Sequence, residues 1–202
     1  MSAPAQQRSI ADLVARIDAE LPARGSRIIG FLASHRGEGT STLAQAFARS
    51  HAEAMGRSVL LLSTALPVGG RPSVIDAVRD GQRLHTAMDK VGMGLTEAAL
   101  GIGNDGRRNA AWSLVASAEL WRALRESFDL IVVDIKSADA SEAAFKVSPL
   151  CDGVVVVLEA ARTRAPVVTQ LLHNLQSVHA RVLGTVLNKR RFHLPSKLYR
   201  WL

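Results

Sequence analysis

Residues 27–47, RIIGFLASHRGEGTSTLAQAF, constrain the fold more than any other stretch of the chain. The apolar run over residues 28–33 is too short to span a membrane and suits a buried strand. A loop of mostly small residues follows: Ser34, His35, Arg36, Gly37, Glu38, Gly39, Thr40, Ser41 and Thr42. From about Ser41, Leu43, Ala44, Phe47 and Ala48 recur at helical spacing. Strand, glycine loop and helix start together form a cradle for an anion, because successive backbone N–H groups and the helix dipole converge on one point. A phosphate-binding loop places lysine directly before its Ser or Thr. Thr40 occupies that place, and without the lysine the pattern reads equally well as an ordinary strand-to-helix turn. One lysine contact to terminal phosphates is worth roughly 1.5–3 kcal/mol. Its loss weakens binding about tenfold to a hundredfold. Phosphoryl transfer suffers more, since it rests on charge stabilisation in the transition state. Arg36 offers a cation from a different part of the loop.

The rest of the chain supplies a setting for this unit. Its 202 residues suit one domain with an adequate core, and no run reaches the length of a membrane span. Residues 1–7 lack the apolar core of a secretory signal, and the single Cys151 excludes an internal disulfide, which fits a reducing cytoplasm. Cys151 itself reads as a small buried hydrophobe. Residues 1–8 read as a loose terminus, and Ser9 as the cap of a helix reaching Leu21 and stopped by Pro22 and Gly25. That helix either packs on the core or meets a partner. Gly56 suits a helix C-cap, and residues 58–62 form a second buried strand. Residues 74–78 and 84–91 look helical, residues 92–106 look like a mobile glycine-rich loop, and one helix is expected over 111–127. Trp112 and Trp121 on that helix serve either the core or a stacked ligand.

Residues 128–135, FDLIVVDI, read as a strand ending in Asp134. A carboxylate there is either the usual Mg²⁺ contact of a nucleotide site or a cap for the next turn. Strands over 153–158 and 181–187 enclose a helix over 166–179. This alternation predicts an α/β three-layer sandwich, a mostly parallel sheet flanked by helices. The six histidines show no metal-ligand spacing. The net charge of +7 draws attention to residues 188–202, where Lys189, Arg190, Arg191, Lys197 and Arg200 alternate with aromatic and aliphatic residues. Such a tail, set apart from a single domain over residues 1–187, suits an anionic membrane surface or a membrane-associated partner. A solvated tail is the other reading, and nucleic acid is disfavoured because no recognition motif accompanies the charge.

Almost end to end, the chain resembles the cytoplasmic kinase module of bacterial tyrosine kinases serving capsule and exopolysaccharide assembly, within the wider MinD/ParA-type P-loop family. GEG-T-ST is similar to that family's PGEGKST loop, and VLLLSTAL followed by GRPS to its VLLIDADL…RRPS stretch. FDLIVVDIKSAD is similar to its FDxVIIDTPP strand and turn, and residues 151–189 to its closing half, a DGVxxVV strand leading to VLGxVLN. The resemblance implies that the three-layer fold is P-loop NTPase-like and that Asn188 contacts a nucleotide base. It also implies that Ser41 and Asp134 hold Mg²⁺, with Asp134 the catalytic residue if the chain is active.

The same comparison exposes departures. Thr40 replaces the phosphate lysine, Ser63 and Ala65 replace two aspartates, Lys136 and Ser137 replace a proline pair, and the tyrosine-rich tail shrinks to Tyr199. Three charged catalytic positions are thus lost, which implies a degenerate, pseudokinase-like member binding ATP and Mg²⁺ weakly at most. The expected role is a scaffold or regulator of exopolysaccharide (capsule or holdfast-like) synthesis and export, cytoplasmic and peripheral at the inner membrane. Its expected partner is a separate inner-membrane chain-length or co-polymerase protein, with self-association also admitted. An active ATPase or tyrosine kinase using Arg36 and Asp134 is the competing class, and a MinD/ParA-type positioning protein the third.

Overall fold

The structure, a computed structural model, describes residues 3–21, 25–102 and 108–189. Seven strands form one sheet: β1 (Arg27–Ala33), β2 (Val59–Ser63), β3 (Met88–Gly92), β4 (Leu95–Ala99), β5 (Leu130–Asp134), β6 (Gly153–Glu159) and β7 (Val182–Asn188). Their order is β3-β4-β2-β5-β1-β6-β7, and every pairing is parallel except β3 with β4. The central strands are continuous apolar runs because both faces of a parallel sheet are covered, as the fully buried β1 illustrates.

Alternation along the strands builds two cores. Ile29, Phe31, Val132 and Val155 face one side, where α1 (Ala3–Glu20) and α2 (Thr40–Met55) contribute Val14, Ile17, Phe47 and Ala48. Ile28, Leu32, Val133 and Val156 face the other. There they meet α3 (Val74–Arg79), α4 (Arg108–Val115), α5 (Ala118–Ser127), α6 (Ala143–Val147) and α7 (Ala165–Ser177). The three-layer α/β architecture is therefore as the sequence predicts.

Several local expectations give way. Helix α1 starts at Ala3, so residues 3–8 are not a loose terminus and Ser9 lies inside the helix. Pro22 lies outside the described residues. The helix expected over 84–91 is a short 3-10 turn, Leu84–Ala87, followed by β3. Glycines at 92 and 94 close a β3–β4 hairpin, and β4 pairs parallel with β2 where a loop was expected. The single helix over 111–127 is two, because the Ser117 hydroxyl accepts from the Leu120 N–H and starts α5 afresh. Trp121 is buried and donates to the Val115 carbonyl at 2.7 Å, so it serves the core.

Strand β1 is flanked by β5 and β6, so the loop after it opens at the carboxyl edge of the sheet, where ligands of open α/β sheets bind. Strand register carries this further. Asp134 pairs with Phe31 on one side and Ser63 on the other, which brings the ends of β2 and β5 level, with β1 running two residues further to Ala33.

Candidate functional site

Two glycines shape the loop between β1 and α2. Gly37 and Gly39 have φ of +84° and +94°, left-handed values that side chains other than glycine adopt at a cost. Gly39 is the N-cap of α2 and provides no side-chain cap, which leaves the first helical N–H groups to other acceptors. A Cβ at Gly39 would lie 2.1 Å from the Asn188 amide nitrogen, so the loop and the end of β7 touch backbone to side chain.

The loop is anchored from behind by Glu38, whose side chain is buried. Its carboxylate accepts from the Ser34 hydroxyl and the His35 N–H, each at 3.0 Å, from the Thr163 hydroxyl, and from the Glu159 N–H at 3.4 Å. Burial alone would raise the pKa of Glu38, yet these four donors together hold it below its ordinary value. Asn188 completes the support by donating to the Glu38 carbonyl at 2.8 Å. Beside it the Lys189 ammonium donates to the Gly37 carbonyl and to Glu159 at 3.3 Å. Loop, β6 and β7 are therefore tied by residues more than a hundred positions apart.

In front of the loop lies a cleft of about 690 Å³ lined by Arg36, Gly37, Gly39, Thr40, Ser41 and Thr42. Ser63, Ala65, Asp134, Lys136 and Lys189 form its other walls. Of the residues singled out from the sequence, the cleft gathers all but two. Glu38 turns inward and Asn188 holds the loop's carbonyl, so both position the cradle rather than line it. Asp134 lies at the floor, where burial raises its pKa and the neighbouring Ser41 hydroxyl partly offsets the rise. Thr64, fully buried, fixes this wall: its N–H donates to the Asp134 carbonyl at 3.0 Å, and its hydroxyl accepts from the Lys136 N–H at 2.9 Å.

The site's fit to Mg²⁺ is narrow. One carboxylate and one hydroxyl face each other, Ser63 and Ala65 add no further carboxylate, and no group of three metal-ligating side chains occurs among the described residues. Mg²⁺ commonly takes one or two carboxylates and completes its shell with phosphate oxygens and water. Ser41 and Asp134 fit that pattern only alongside a bound phosphate. In such a complex the metal would neutralise phosphate charge, while the loop N–H groups and Ser41 would orient the anion.

Sequence reading missed Thr163, Glu159 and Lys189 as parts of the loop's support. Asn188 and Lys189 are adjacent in the chain, but nothing in their spacing shows that the lysine reaches Gly37. Among the tail cations, Arg190, Arg191, Lys197 and Arg200 lie outside the described residues. No described helix is long and apolar enough to cross a membrane.

No family model matches the chain. The succinoglycan biosynthesis transport protein ExoP of Rhizobium meliloti (strain 1021) is 28% identical over 187 residues, 85% of this chain. The chain spans 23% of the length of that curated relative. The kinase domain of the Escherichia coli tyrosine kinase ETK has a TM-score of 0.80 at 15% identity, over 94% of this chain and 79% of that one. The septum site-determining protein MinD of Pyrococcus horikoshii OT3, complexed with Mg-ADP, has a TM-score of 0.64 at 17% identity, over 87% of this chain and 76% of that one. The chain shares the overall fold of these solved structures.

Proposed function

We propose that this bacterial tyrosine kinase-like, MinD/ParA-type P-loop protein is a non-catalytic scaffold or regulator of exopolysaccharide synthesis and export, binding nucleotide weakly. One observation carries the reading. The cleft keeps the loop, Ser41 and Asp134, but Thr40, Ser63 and Ala65 stand at the three positions where the family resemblance expects charge. Backbone N–H groups can still hold a phosphate. Proton abstraction and charge neutralisation during transfer lack their carriers. Similarity to a protein named for succinoglycan biosynthesis transport supports a place in polysaccharide assembly. The proposed partner is an inner-membrane chain-length or co-polymerase protein, on whose cytoplasmic face this chain would dock. The retained Ser41–Asp134 pair favours a second reading, an active ATPase or kinase.

Calorimetric titration with ATP and ADP, with and without Mg²⁺, alongside hydrolysis and autophosphorylation assays, separates the two. Weak binding and turnover no faster than background are expected. Submicromolar ATP affinity with Mg²⁺-dependent turnover that disappears in Asp134→Ala overturns the non-catalytic reading.

A further inference from the structure

We propose that Lys136 contacts the polyphosphate of the bound nucleotide, so that the positive charge missing from the loop at position 40 enters from the opposite wall of the cleft. The inference rests on the reading of the cleft as a nucleotide site and names which side chain recognises the anion.

Among the described residues three long cations line the cleft, Arg36, Lys136 and Lys189, against a single carboxylate, Asp134. They are not equivalent. The Lys189 ammonium is engaged by the Gly37 carbonyl and Glu159, and it holds the loop in place. Arg36 is exposed at the loop's outer turn, where water screens its charge. Lys136 is half-buried, and its ammonium has neither hydrogen bond nor ion pair among the described residues. Its backbone is fixed by the buried Thr64 hydroxyl, two residues beyond Asp134. A half-buried, unpaired ammonium beside a phosphate-shaped cradle strengthens its interaction with an anion, because low local dielectric raises charge–charge energy. The substitutions at 40 and 136 then read as one exchange: a cation lost from the loop and a cation gained across the cleft.

The test is calorimetric titration of the full chain with ATP and with inorganic tripolyphosphate, which removes base and ribose from the question. Lys136→Met keeps most of the stem and removes the charge, and thermal unfolding verifies that it folds. Loss of one such contact weakens both ligands about tenfold or more. Arg36→Ala is expected to change affinity much less. Thr40→Lys placed on Lys136→Met restores affinity if the two positions serve the same charge. Equal affinity of Lys136→Met and the parent overturns the inference and leaves the nucleotide reading standing. Binding of ATP but not tripolyphosphate by the parent also overturns it, since recognition would then lie at the base. Binding of neither ligand at millimolar concentration overturns both the inference and the nucleotide reading.

Discussion

Glu38 sits between two glycines in a segment that reads as ligand-contacting, yet its carboxylate is turned into the protein and surrounded by four donors. Replacing it by alanine strands the buried Ser34 hydroxyl and the His35 N–H without an acceptor. Glu38→Ala is therefore expected to lose roughly 2–4 kcal/mol in denaturant unfolding. The pH dependence has a definite sign. The folded pKa lies below the ordinary 4.5, so the carboxylate's contribution is present above about pH 4.5 and is lost as pH falls through the folded value. The gap in stability between parent and Glu38→Ala should accordingly narrow on acidification below pH 4.5, and a gap independent of pH would contradict the assignment. Sequence placed Glu38 in the right loop but in the wrong role. Adjacency along a chain fixes where a residue is, whereas the direction of its side chain depends on β6 and Thr163, which meet it only after folding. Asp134 and Ser41 were legible in place, as residues lining the cleft, because each lies where an element ends or begins and backbone direction already aims the side chain.

Elements with strong periodicity were read correctly, and those defined by a partner were not. The strands β1, β5 and β6 each carry a continuous apolar run with a charged residue only at one end, and announce themselves. Edge strand β3 is mostly exposed, and its short Met-Asp-Lys-Val-Gly run carries no period that separates helix from strand. Its neighbour β4 owes its form to hydrogen bonds with β2 rather than to its own residues. At the junction of loop, α2 and β7, two glycines differ in what they tolerate. Gly37→Ala meets no atom within 4 Å and suffers the left-handed φ alone, about 1–2 kcal/mol. Gly39→Ala adds a Cβ 2.1 Å from the Asn188 amide, and must either displace β7's end or reshape the helix start. Thermal unfolding and tripolyphosphate titration should rank Gly39→Ala as clearly worse than Gly37→Ala on both counts. Equal effects would mean that the Asn188 contact does not set the loop.

For the whole molecule, the net charge of +7 and the basic–aromatic segment at 190–202 bear on where the protein works. Each Lys or Arg close to an anionic leaflet contributes about 1 kcal/mol, an attraction that salt weakens and that needs a second attachment to hold. Deletion of residues 192–202 leaves the last strand, Val182–Asn188, intact, so its melting temperature is expected to match that of the full chain while recovery with membranes falls. Cell fractionation of both forms, beside an exopolysaccharide assay of a deletion strain, measures the outcome. Equal membrane recovery would remove the segment from the proposal, and normal polysaccharide would remove the pathway.

The ties between the loop and the sheet also set an order of events during synthesis. The loop leaves the ribosome early, but Glu38 finds Glu159 and Thr163 only 121 and 125 residues later, and Asn188 only after 150. Contacts so distant in sequence form late, because the intervening chain must first be ordered. A nascent chain would therefore carry the glycine loop without its phosphate-binding shape until β7 has been made. Ribosome-held chains truncated before Asn188 should fail to retain tripolyphosphate even where β1 and α2 are complete, so the part of the cleft translated first is the part finished last.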